Sequence, residues 1–125
     1  VIAHVILGLP GETPAMIQDT VSYLGRLGEH GIDGIKLQLL HILKGTDLAV
    51  DYERQPFWSP SMEEYIELLG SCIIRLRPDL SIHRLTGDGP KDLLIAPTWS
   101  TNKRHVLNQM QSWFKIHDIW QGKEL

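Results

Sequence analysis

The run from Val1 to Leu43 constrains this chain more than any other feature. An apolar stretch, a glycine-proline turn, an amphipathic helix and a second apolar stretch follow one another with short connections. Val1 to Leu7 (VIAHVIL) is mostly branched and apolar, too short for a helix and without strict alternation, which predicts a strand buried on both faces. Gly8, Leu9, Pro10 and Gly11 break it. Thr13 and Pro14 form a good N-cap and first-turn pair, and Ile17, Thr20, Val21, Leu24 and Leu27 recur at helical spacing until Gly28 and Gly31. Asp33 to Leu43 (DGIKLQLLHIL) is the next strand. Strand, helix and strand joined this tightly make a right-handed βαβ unit with parallel strands, so the chain is an α/β protein.

Past Leu43 the pattern loosens. A turn at Lys44 and Gly45, a short helix around Leu48 to Tyr52 and a loop through Pro56 are expected. Ser61 to Glu64 has capping-box form, and Met62, Tyr65, Ile66, Leu69, Ile73 and Leu76 share one helical face until Pro78. A third strand is predicted at Leu80 to Leu85 and a brief extended piece at Leu93 to Ala96. The last helix is predicted to start near Asn102 and to turn Val106, Leu107, Met110, Trp113 and Phe114 inward, with Gly122 in a frayed tail.

Composition narrows the function classes. The chain has 125 residues, enough for one modest core, and its formal charge of -3 gives no global pull toward nucleic acid or anionic lipid. No apolar run is long enough to span a membrane. Cys72 is the only cysteine, which excludes an internal disulfide and a chain-contained site of several thiolates, and suits a reducing cytoplasm. The opening residues lack a secretory signal pattern and an initiator methionine, so the chain is expected to be a piece of a longer protein.

In parallel sheets ligands sit beyond the carboxyl ends of the strands, which singles out "GLPGET", "LHILKGT" and "HRLTGDGP". In the first, Gly8 and Gly11 let the backbone approach a ligand, free N–H groups open the next helix, and Glu12 can accept hydrogen bonds from an amine or hydroxyl. An ordinary turn and cap would read the same way. In the second strand Lys36 and Gln38 share one face, whereas Leu37, Leu39 and His41 share the other. A polar group buried without a partner costs about 1 to 3 kcal/mol, so a ligand or the protein must satisfy these two. His4 has the parity of Ile6, and both line a barrel interior if that face looks into one. In the third segment His83 can move protons near neutral pH, Arg84 can clamp a carboxylate or phosphate, and Asp88 can accept hydrogen bonds or hold a turn.

The order of "HVILGLPGET", "GIKLQLLHILKGT", "HRLTGDGP" and "LLIAPTWS" resembles the C-terminal half of a bacterial radical S-adenosylmethionine family of Fe-S oxidoreductases, related to the elongator-type radical enzymes. "GLPGET" alone is shared across the superfamily; the other segments narrow the match. The resemblance implies that residues 1–125 are the C-terminal part of a partial (β/α)6 TIM-like barrel. It implies an apolar contact on the adenine from Ile6, with Gly8 at the strand end, and backbone contacts from Leu40, His41 and Ile42. Pro10, Gly11 and Glu12 complete the cofactor rim with Gln38, the superfamily's acidic position being displaced by one onto Glu12. His4, Lys36, His83, Arg84 and Asp88 are the expected substrate contacts.

The family's cluster motif, C-x-x-x-C-x-x-C, is absent, so no metal ligand is expected in this chain. The resemblance implies a 4Fe-4S cluster and S-adenosylmethionine in the full-length protein, with reductive cleavage of the latter to start radical chemistry on a substrate the sequence does not identify. The implied partner is an N-terminal half of the same protein, and self-association through exposed barrel edges is expected of this piece. A non-catalytic α/β module that binds an anion or nucleotide is the competing reading.

Overall fold

A computed structural model describes residues 1–26, 31–86 and 90–124. The element order is β1 (Ile2–Leu7), α1 (Pro14–Arg26), β2 (Gly34–Leu39), β3 (Ile42–Leu43), α2 (Asp47–Arg54), α3 (Met62–Ile73), β4 (Ser81–Arg84), β5 (Leu94–Ala96) and α4 (Lys103–Ile116). Single turns of 3-10 helix precede and follow β5. β1, β2 and β4 form a parallel sheet in that order, with Ile2 opposite Gly34 and Leu7 opposite Leu39. The two crossovers are α1 and α3, and both lie on the same side.

That side is the core. Val5 and Leu7 of β1 and Ile35, Leu37 and Leu39 of β2 pack against Ile17 and Val21 of α1 and Tyr65, Ile66, Leu69, Cys72 and Ile73 of α3. α4 adds Val106 and Met110. Gly25 lets α1 approach the end of α3: a Cβ there would stand 2.4 Å from the Arg75 carbonyl oxygen. Ser61 caps α3 as the sequence indicates, its Oγ accepting from the Glu64 N–H at 3.1 Å while the Glu64 carboxylate accepts from the Ser61 N–H at 2.9 Å. Asn102 caps α4 through the His105 N–H.

Five expectations need correction. β1 is not buried on both faces: Val5 and Leu7 are covered, but Ile2 and Ile6 are exposed, because nothing among the described residues packs over them. The stretch 33–43 is two strands rather than one. The chain leaves the first sheet after Leu39 and pairs Ile42 and Leu43 antiparallel with β5, building a small second sheet over Ala49. α3 stops at Ile73, short of Pro78, and Leu107 of α4 faces out while its helical neighbours Val106 and Met110 face in.

The tail is docked rather than frayed. Asp118, in the left-handed region at φ 53°, ends α4 with Ile119 N–H returning to Phe114 O at 2.8 Å. Gln121 Nε2 then donates to the carbonyls of Arg77 and Leu80, and the N–H groups of Gly122 and Glu124 reach Ile73 and Ile74. The expected helical residues Leu27 and Gly28 lie outside the described residues.

Candidate functional site: the open face of the parallel sheet

Opposite the helices, the three-stranded sheet presents a face that no element among the described residues covers. Ile2, His4 and Ile6 of β1 and Gly34, Lys36 and Gln38 of β2 share it by alternation. Leu7 is 0% accessible, its neighbour Ile6 38%. Register aligns the pairs: His4 stands opposite Lys36, and Ile6 opposite Gln38.

β4 joins this face through an irregularity. Ile35 pairs with Ile82, but Lys36 pairs with Arg84, so His83 is an additional residue on β4. Strict alternation would put His83 and Arg84 on opposite faces. Instead the His83 imidazole lies over Gly34, where an added Cβ would meet Nε2 at 2.6 Å. The missing side chain at Gly34 is what makes room for that ring. His4, Lys36, His83 and Arg84, the described members of the expected substrate set, thus gather on one face. Asp88 lies outside the described residues.

The rim is built where β1 and β2 end. The Leu40 N–H donates to Leu7 O at 3.0 Å, which draws the exits of the two strands together. Gly8 turns the chain there at φ 100°, with Leu40 Cβ 3.8 Å and Pro60 Cδ 3.7 Å from the position its own Cβ would take. Gly11 repeats the positive φ at 77° with open space around it, and the Glu12 N–H closes the turn on Leu9 O at 3.1 Å. Pro10 is exposed and Glu12 half-buried, both on the outer edge of the turn. Ile6, Gly8, Gln38 and Leu40 therefore converge.

Two expected rim residues turn elsewhere. His41 carries its imidazole to the helix side, where Nε2 lies 3.1 Å from Ser100 Oγ. The Ile42 side chain is buried in the second sheet's core. Their backbones, not their side chains, lie where the strand leaves the first sheet.

Residues that position the rim were not singled out by sequence. Tyr65, fully buried in α3, donates its hydroxyl to Leu85 O at 2.5 Å and fixes the exit of β4. Burial pushes its phenol pKa up. Trp99 packs against Tyr65 in a tilted ring pair, 5.7 Å between centres and 42° between planes, and donates from Nε1 to Pro60 O at 2.9 Å, beside Gly8. Ser100 donates to Pro97 O at 2.9 Å. Only the helical stripe through Tyr65 is visible in sequence; the others depend on contacts across about forty or more residues of chain.

Two clefts lie away from this face. One of about 250 Å³ is lined by residues that include Gln18, Trp58, Glu67 and Ser71; the other, of about 380 Å³, lies between α3 and α4. Neither touches an expected site residue. Among the described residues no group of three or more His, Cys, Asp or Glu could hold a metal ion. Cys72 is fully buried, and burial pushes its thiol up to about 12, so it is packing rather than a nucleophile or ligand. Among the described residues no helix is long and apolar enough to cross a membrane.

Comparison with known proteins places this architecture. The family of the Radical_SAM C-terminal domain matches residues 32–115. The protein YtqA of Bacillus subtilis (strain 168) is 37% identical over 123 residues, covering 98% of this chain and 37% of that protein. YhcC of Escherichia coli (strain K12) is 34% identical over 125 residues, covering 100% of this chain and 39% of that one. Among solved structures, the archaeal Methanocaldococcus infernus Elp3 with an N-terminal deletion (1-46) shares the fold. Its TM-score is 0.78 at 15% identity, over 96% of this chain and 28% of Elp3. This chain spans less than two fifths of the length of these curated relatives, 37% and 39%.

Proposed function

This chain belongs to the Radical_SAM C-terminal domain family, and on that premise we propose that it is the C-terminal part of a partial (β/α)6 barrel in a radical S-adenosylmethionine enzyme. The observation that carries the reading is the asymmetry of the sheet. Strands are added in one direction, both crossover helices lie on one side, and the bare side holds the expected ligand residues. A doubly wound module would bury both faces.

The residues at the rim suit S-adenosylmethionine. Ile6 offers an exposed apolar side chain of the kind an adenine ring covers, and Gly8 and Gly11 hold positive φ where backbone must pass close to a ligand. Gln38, beside Ile6, has an amide that can donate and accept, and the backbone of Leu40 to Ile42 supplies further polar atoms. When bound and reduced, S-adenosylmethionine supplies a hydrogen-abstracting adenosyl radical.

The 4Fe-4S cluster does not fit this chain, whose one thiol is buried and held protonated. We assign its ligands to a preceding half of the protein, which would also cover Ile2, His4 and Ile6. The lone unpaired thiol suits the cytoplasm. Until covered, the bare face favours self-association, and an Ile6→Lys substitution is expected to reduce it in light scattering.

The test is direct. The gene upstream of Val1 should encode three cysteines spaced C-x-x-x-C-x-x-C, and the full-length protein, reconstituted without oxygen, should convert S-adenosylmethionine to 5′-deoxyadenosine. A full-length protein without that cysteine motif overturns the reading.

A further inference from the structure

The open face carries a charge pattern that the cofactor rim does not use. His4 of β1 pairs with Lys36 of β2, and Lys36 pairs with Arg84 of β4, so the three residues form one row across the sheet. The row lies two residues below Ile6 and Gln38, about 7 Å from them at the rise of a strand. His83 is brought beside it by the β4 irregularity and by the absent side chain at Gly34. The other strand residues of this face are Ile2, Ile6, Gly34, Gln38 and Ser81, and none is acidic.

A lysine in a central parallel strand is poorly solvated once its face is covered. Arg84 has an interaction of its own within the protein, so Lys36 is the principal donor, with His4 opposite it and the His83 ring over Gly34 two residues before it. A carboxylate or phosphate laid across the row would receive charge-assisted hydrogen bonds from Lys36 and the histidines. We propose that His4, Lys36, His83 and Arg84 form an anion-binding floor that takes a carboxylate or phosphate group of the substrate, beneath the cofactor rim. This assignment rests on the radical-enzyme reading for the identity of the ligand as substrate, and extends it to the substrate's chemical class.

The experiment uses the full-length protein, with inorganic phosphate and succinate as probes in separate calorimetric titrations. One of the two is expected to bind saturably, and which one binds assigns the substrate's anionic group. Lys36→Gln should weaken that binding about tenfold or more, the loss of one hydrogen bond to a charged group, whereas Lys36→Arg should keep it within a few fold. Because a variant can fail to fold, the wild-type protein is also acylated with and without the bound anion and read by mass spectrometry. The anion should protect Lys36 and leave Lys44 and Lys91 unprotected. Binding of neither anion, equal binding by wild type and Lys36→Gln, or no protection of Lys36 would overturn the proposal. Cleavage of S-adenosylmethionine with no anion binding would remove the floor alone. Anion binding in a full-length protein without the cysteine motif would remove the radical chemistry and leave the anion site standing.

Discussion

The two faces of the three-stranded sheet are made from the same strands and could hardly differ more. On the helix side, Val5, Leu7, Ile35, Leu37 and Leu39 meet α1 and α3 and are almost completely buried. On the other side, the residues between them include two histidines, a lysine, an arginine and a glutamine, with isoleucines left in the open. The difference teaches that burial is segregated by parity: odd residues of β1 and β2 hold the fold, and even residues occupy the uncovered face where the proposed ligand contacts would lie.

The largest effect should come from crossing that divide within one strand. Leu37→Ala is expected to cost about 2 to 5 kcal/mol, because it empties a fully buried site between the sheet and α3. Gln38→Ala, one residue on, should stay within about 0.5 kcal/mol. Urea unfolding of the two variants reads both numbers, and equal costs would break the comparison.

Next is Gly25→Ala, which sharpens the account of the helix layer. Its new Cβ would stand 2.4 Å from a backbone oxygen of Arg75, so the ends of α1 and α3 must separate. An overpacking cost of about 1 to 3 kcal/mol is expected from the same measurement. Ser61→Ala should cost about 1 kcal/mol through the lost cap of α3, and leave ligand binding at the open face unchanged.

The smallest effect is a pH dependence confined to the helix side. The hydrogen bond from the Ser61 N–H, aided by the Trp58 indole, holds the Glu64 carboxyl below its ordinary value of 4.5. The group regains the ordinary value on unfolding. Its contribution is therefore present above that value and is lost as pH falls through the depressed folded one. A urea midpoint that drops less on acidification in Glu64→Gln than in wild type is the expected result.

Much of the helix side is legible in the sequence. The βαβ pattern, the Ser61 capping box and the Asn102 cap are local signals, and local signals survive folding because each is satisfied within one turn. The split at Leu40 is not legible. "LQLLHIL" is continuous in hydropathy, and what divides it is pairing with β5, some fifty residues away in chain. Nor is the docked tail, which depends on Gln121 meeting two carbonyls before β4.

For the candidate site, parity read from sequence puts Lys36 and Gln38 on one face of their strand and His4 with Ile6 on one face of theirs, while strict alternation would separate His83 from Arg84. The irregularity on β4 reverses that separation, and Gly34, unremarkable as a residue, leaves the room that the His83 ring fills. The turn of His41 toward Ser100 likewise depends on a partner distant in sequence.

The central claim is that ligands meet the bare face and its rim. The most direct measurement is hydrogen exchange or radical footprinting of the full-length protein with and without S-adenosylmethionine. Protection is expected across Ile6 to Glu12 and Gln38 to Ile42, with the helix-side cleft at Gln18, Trp58 and Ser71 unchanged. Protection at that cleft, with Ile6 to Glu12 left as exposed as before, would contradict it.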